Sequence, residues 1–175
     1  MRVEAKSELR AQLLAARAGR DPEQIAAARA RVRMHVLSRF AGTPRLAAFR
    51  PLRTEPGSVE LLDELVAGGT AVLVPVLLDD RDLDWAPWPG PTAPLGVDAI
   101  AGVDVVLVPA LAVSRRAVRL GRGGGSYDRA LARVPRGVPV VALVYDDEIL
   151  DHLPAEEWDV PVTAAITPSG WHPLG

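Results

Sequence analysis

Three apolar runs stand out along the chain: TAVLVPVLL (70–78), DVVLVPALAV (104–113) and VPVVALVY (138–145). Runs of this length without polar alternation suit strands buried on both faces of a sheet. A shorter one, RLAAF (45–49), precedes them, and a last strand is expected near 162–166. The pattern is helical elsewhere. Residues 3–18 place Glu4, Glu8 and Gln12 on one side and Leu9, Leu13 and Leu14 on the other. Residues 22–41 form a second predicted helix, with Asp21 as N-cap and Pro22 at the first helical position. Ser58 caps a third over 59–67, ended by Gly68 and Gly69, and a fourth is expected over 127–134. Residues 79–103 show no period, carry many prolines and glycines, and read as a surface loop or flap. Buried strands alternating with helices predict an α/β fold. The expected form is one domain, 1–175, with an open, mostly parallel sheet flanked by helices.

Composition narrows the function. Half of the residues are apolar and 24% are charged, as in ordinary globular domains. A net charge of −2 gives no reason to expect nucleic acid or an anionic membrane as partner. There is no cysteine, which excludes thiolate chemistry and disulfides. His35, His152 and His172 lie far apart, with no paired spacing for zinc. A charged N-terminus and the lack of a spanning apolar run read as a cytoplasmic protein.

LGRGGGSYDRAL (120–131) is the stretch with most chemistry in it. Glycines let a backbone approach an anion closely, and Arg119 and Arg122 add charge suited to phosphate oxygens. A Walker loop would need a lysine that is absent, and Ser126 breaks the dinucleotide fingerprint. A phosphate cradle and a flexible surface turn both remain open. Asp128 is either a dipole partner in the first helical turn or a magnesium ligand. Ser126 also sits at a loop-to-helix junction, as a hydrolase nucleophile would, but the glycine expected two positions later is missing.

On the N-terminal helix, Lys6, Arg10 and Arg17 fall within about 40° of one another, between the leucine positions. Either they snorkel to the domain edge, or Lys6 and Arg10, one turn apart, share a bound anion. The acidic run LLDDRDLDW (77–85) reads as a solvated turn, and Asp146, Asp147 and Glu148 as dipole partners at a helix start.

Taken together, KSELR (6–10) with Arg17, TEPGS (54–58), VPALAV with RLGRGGGSYDRAL (108–131), VVALVYDDEIL (140–150) and LPAEEWDVPVTAAIT (153–167) resemble the 5-formyltetrahydrofolate cyclo-ligase family over nearly the whole length. That resemblance implies a sheet of the ribose-5-phosphate isomerase and CoA-transferase type, and a monomer. It implies an enzyme dependent on ATP and Mg²⁺ that phosphorylates the N5-formyl oxygen of 5-formyltetrahydrofolate. Attack by N10 and loss of phosphate would then give 5,10-methenyltetrahydrofolate. Carried over by position, Lys6, Arg122 and Tyr127 would act in catalysis. Lys6, Arg10, Arg119, Gly121, Arg122, Gly123, Gly124, Gly125, Ser126 and Tyr127 would hold the nucleotide. Arg50, Glu55, Gly124 and Ser126 would contact the reduced folate, and Asp128 and Asp159 would hold magnesium.

Several positions depart from the family pattern. Ser126 replaces a tyrosine, Ser114 an aspartate, Ala117 a glycine, and Trp158 a common histidine. PWPGPTAPLGVDAIAGVD (87–104) is short and lacks the family's Glu-Pro. The departures leave open a paralogue that closes a ring on a non-folate substrate, and a non-catalytic relic. Trp85 and Trp88 either line a pocket in place of the lost tyrosine or cap the core edge.

Overall fold

The computed structural model describes residues 2–90 and 93–175; Pro91 and Thr92 of the predicted flap lie outside them. Two long helices come first, α1 (Arg2–Ala18) and α2 (Pro22–Phe40). The Asp21 carboxylate accepts from Glu23 N at 2.7 Å and the Gln24 side chain accepts from Asp21 N, which closes a capping box. Strand β1 (Arg45–Ala47) and helix α3 (Val59–Ala67) follow, with Ser58 Oγ accepting from Leu61 N at 3.2 Å.

Next come β2 (Ala71–Leu77), β3 (Leu83–Pro87), a 3₁₀ turn (Val97–Gly102), β4 (Val105–Pro109), β5 (Ala112–Ser114) and β6 (Arg119–Leu120). Helix α4 (Ser126–Leu131), β7 (Val140–Leu143), a 3₁₀ turn (Asp146–Glu148), β8 (Ile149–Leu150), β9 (Ala164–Thr167) and β10 (Gly170–Pro173) complete the order. The main sheet runs β10-β9-β7-β4-β1-β2-β3. Its five inner strands pair in parallel, and β3 and β10 are antiparallel edges.

Side chains alternate across the sheet. Leu46, Val72, Leu107, Val141 and Ile166 meet α2 and α3 on one face, through Val32, Val36, Leu61 and Leu65. Ala47, Val106, Val108, Ala142 and Ala165 meet Ile100, Ala130 and Leu131 on the other. Both faces are covered, which accounts for the apolar runs.

The sequence expectations need three corrections. Residues 79–103 are not an irregular flap: Leu83 and Trp85, two apart, point into the core of an edge strand paired with β2. Trp85 is 0% exposed and belongs to the core. The run 104–113 is two strands, because the chain leaves the main sheet at Ala110 and Leu111 N bonds Leu120 O at 2.7 Å. That departure builds the small sheet β6-β5-β8 and carries Arg119 back beneath the glycine loop. Finally, α4 ends at Leu131, three residues earlier than expected.

Candidate active site

From β1 the chain moves outward to β2 on one side, then returns to place β4 on the other. Ligands of open parallel sheets bind beyond the strand C-termini at such a reversal. A cavity of about 540 Å³ lies there, between Phe49 and Arg50 after β1 and Pro109 to Leu111 after β4. Every site residue singled out from the sequence lines this one cavity.

Helix α1 crosses the cavity mouth and aims its cations inward. Lys6 is 6% exposed and donates from Nζ to Glu156 Oε2 and Asp159 Oδ2, both at 2.9 Å. Burial alone would lower its pKa, but the bonds to Asp159 and Glu156 outweigh this and hold it above the ordinary lysine value. Arg10 Nε donates to Gly121 O at 2.9 Å, which fastens α1 to the glycine loop. Arg17 does not reach the cavity. It is buried on Glu148, with Nε and Nη2 both at 2.7 Å from the carboxylate. The stripe of cations is therefore not a snorkelling edge: Lys6 and Arg10 line the cavity together, and Arg17 is buried on Glu148.

The glycine loop is shaped by close approach. Gly123 has φ +101, and a Cβ there would meet the Arg10 guanidinium at 3.3 Å. At Gly121 a Cβ would come within 2.7 Å of Arg119 Nη1. Gly125, at φ +71, starts α4 without a side-chain cap. Asp128 is no cap either: its Oδ1 accepts from Arg119 Nη2 at 3.2 Å. Val160 N also approaches this oxygen, at 3.5 Å, which joins Asp128 to the segment bearing Asp159. Two buried groups on this wall have no hydrogen-bond partner among the described residues, Tyr127 Oη and Arg119 Nε. Burial raises the Tyr127 pKa, more than the nearby Arg119 charge lowers it, so the phenol stays protonated.

On the opposite wall, Glu55 is buried, accepts from Leu52 N at 2.8 Å, and lies 3.8 Å from Arg122 Nε. The Arg50 guanidinium lies over the Trp88 ring, 4.9 Å from its centroid. Trp88 does not itself line the cavity; its Nε1 donates to Asp63 Oδ1 at 2.7 Å. Trp158 does line it and is 68% exposed, and Leu52 and Leu77 at the same mouth are exposed too.

Sequence reasoning missed one cavity residue, Glu156, and one buried support outside the cavity, Glu148. Glu156 shares Lys6 with Asp159, and only its place three residues before Asp159 hinted at it. Glu148 was read as a dipole partner, whereas it is 2% exposed and bound to Arg17. No histidine lines the cavity among the described residues, and His35 and His172 bond Pro168 O and Thr167 Oγ1, so no imidazole stands beside Ser126 there.

The sequence model describing the 5-formyltetrahydrofolate cyclo-ligase family matches residues 2–168. The chain belongs to this family. It is 40% identical to the 5-formyltetrahydrofolate cyclo-ligase of Mycolicibacterium smegmatis, over 96% of both chains. It is 38% identical to the Escherichia coli K12 protein of the same name over 71 residues, 40% of this chain and 39% of that one. Among solved structures, the 5,10-methenyltetrahydrofolate synthetase of Mycoplasma pneumoniae superposes with a TM-score of 0.81 at 22% identity, covering 93% of this chain and 98% of that one. The Aquifex aeolicus synthetase gives 0.80 at 24% identity, over 97% and 92%. At those identities the two structures speak for the fold.

Proposed function

We propose that this chain is a cytoplasmic, monomeric cyclo-ligase that converts 5-formyltetrahydrofolate to 5,10-methenyltetrahydrofolate, using ATP and Mg²⁺. One observation carries the reading: a single cavity has a cationic glycine-loop wall with unpartnered buried donors, and a facing wall of Glu55, Arg50 and apolar side chains. The identity of 40% across 96% of both chains supports folate over a different substrate.

The residues fit a nucleoside triphosphate. Arg10, Arg119 and Arg122 supply charge for phosphate oxygens, and Gly123 leaves room where a side chain would strike Arg10. They also fit Mg²⁺, which often takes only one or two protein carboxylates, here Asp128 and Asp159. Bound there, ATP would supply the phosphoryl group that makes the formyl oxygen a good leaving group, and Mg²⁺ would offset the phosphate charge.

The chain's own residues position and neutralise. Lys6, held protonated, brings a positive charge to the segment bearing Asp159. Arg122 spans from the glycine loop to Glu55, so it touches both halves of the cavity. Tyr127, kept protonated by burial, is a donor rather than a base. Glu55, fixed by Leu52 N, presents a carboxylate oxygen to the N–H donors of a pterin ring. Preorganised charge of this kind supplies most of the catalysis in phosphoryl transfer.

The test is direct turnover. Protein, ATP, Mg²⁺ and 5-formyltetrahydrofolate are mixed, and the methenyl product is followed by near-ultraviolet absorbance. Turnover is expected, reduced about 10²–10³-fold in Lys6→Ala. Asp159→Asn should need more Mg²⁺ for half-maximal rate. Nucleotide binding without turnover would refute the folate assignment.

A further inference from the structure

A second cavity, of about 510 Å³, opens on the other side of the 50–60 loop. It lies between α2 and the start of α3 and shares no lining residue with the first. Arg20, Arg29, Arg33 and Arg53 line it against one carboxylate, Glu60. This excess of positive charge stands out in a chain whose net charge is −2.

The four guanidinium groups are not equally committed. Arg29 is structural: it donates to Leu52 O, Arg53 O and Glu55 O at 2.9, 3.1 and 3.0 Å. Arg33 has a looser pairing with the half-exposed Glu64 at 3.2 Å. Arg20 reaches exposed Asp147 and lies over the Tyr145 ring, 3.9 Å from its centroid, but its buried Nε has no hydrogen-bond partner among the described residues. A buried unpaired donor is unfavourable, so a shift of the Arg20 side chain toward a ligand oxygen would recover the missing bond. The Arg53 side chain has no hydrogen bond or ion pair among the described residues. Planar guanidinium forks recognise phosphate and carboxylate bidentately.

We propose that this cavity is a second, separate anion site for a small phosphate- or carboxylate-bearing ligand, which steadies the loop carrying Glu55. The coupling route is on the page. Arg29 grips three carbonyls of that loop from one side, and Tyr145 Oη, beneath Arg20, donates to Thr54 O at 2.8 Å. On the other side of the loop, Glu55 faces the first cavity. An anion drawing Arg53 and Arg20 together therefore restrains the loop and tightens folate binding; this consequence rests on the cyclo-ligase reading, and the site itself does not.

Calorimetric titration with inorganic pyrophosphate, and separately with tricarballylate, tests the site. Two binding events are expected in the unmodified protein, with the second weakened about tenfold or more in Arg53→Glu. Arg33→Ala, a half-buried change outside the 50–60 loop, should weaken the same event more mildly. A single event, or a second one indifferent to both variants, overturns the site. Preference for pyrophosphate marks a phosphoryl ligand and preference for tricarballylate a carboxylate one; either supports it. The coupling is read from 5-formyltetrahydrofolate affinity, by tryptophan fluorescence without nucleotide or metal. Tricarballylate should tighten it about fivefold in the unmodified protein and not in Arg53→Glu. An equal effect in both overturns the coupling. Absence of folate binding, with the second anion event intact, refutes the cyclo-ligase reading and leaves the anion site standing.

Discussion

At the scale of single residues, the departures from the family pattern have separate physical consequences. Ser114 is fully buried, and its Oγ accepts from Val118 N at 3.2 Å, closing the turn after β5. Ala117 in that turn has φ +65, where glycine is the unstrained choice. Left-handed backbone costs an alanine about 1–2 kcal/mol, while glycine gives back about 0.4–1 kcal/mol through the unfolded chain. Ala117→Gly should therefore stabilise the protein by about 0.5–1 kcal/mol in chemical denaturation; a loss of stability would contradict the strain. Trp158 is a different case. An exposed indole at the cavity mouth contributes little to folding, yet it offers a ring to a flat ligand where Ser126 has none. Aromatic pairs are worth about 0.5–1.5 kcal/mol. Trp158→Ala should leave the denaturation midpoint within about 0.5 kcal/mol of the original and raise KM for 5-formyltetrahydrofolate up to about tenfold. An unchanged KM would remove Trp158 from the substrate site.

Among elements, the β2–β3 hairpin shows how an acidic turn becomes structure. Arg133, just after α4, grips Asp82 through both oxygens at 2.8 and 2.6 Å, and Leu83 N adds a third bond. The Arg133 bonds chiefly, then Leu83 N, lower the Asp82 pKa from 3.8 to about 2. A carboxylate whose folded pKa is depressed stabilises fully above its unfolded value and loses that contribution as pH falls through the folded one. The stability gap between the unmodified protein and Asp82→Asn should be constant at neutral pH. It should close between about pH 4 and pH 2 in denaturation midpoints, and a gap independent of pH would show that the ionised pair contributes nothing. The turn also marks what the sequence could convey. The inner strands were legible because burial on both faces leaves an unbroken apolar run. The edge strand β3 was hidden because its large buried side chains are just Leu83 and Trp85, set between aspartates that serve backbone N–H groups. The cavity was legible because the glycines and arginines of one wall stand close together in sequence. Glu148 and Glu156 were not, since their value comes from cations 131 and 150 residues away.

Across the whole molecule, one buried ion pair ties the N-terminal helix to both the sheet and the substrate loop. Arg17 Nη2 donates to Ala110 O at 2.6 Å, where the chain leaves β4, and to the Glu148 carboxylate after β7. Glu148 Oε2 also accepts from Tyr145 N at 2.9 Å, and Tyr145 Oη reaches Thr54 O, next to Glu55. Burial opposes the Arg17 charge, but the bonds to Glu148 outweigh it and raise its pKa. Breaking such a pair leaves a buried charge alone, at about 3–5 kcal/mol. Arg17→Met and Glu148→Met should each destabilise by about that amount. The double variant should lose far less than the sum, because no charge is stranded. It should still fall about 1–2 kcal/mol short of the original, since Tyr145 N and Ala110 O keep no partner. A double-mutant cycle in guanidinium denaturation reads this coupling, and additive losses would show that the two residues act independently. The double variant also separates folding from function. With Tyr145 no longer held by Glu148, the loop bearing Glu55 loosens, so KM for the folate should rise more than kcat falls. Equal changes in both would assign the pair to the sheet alone.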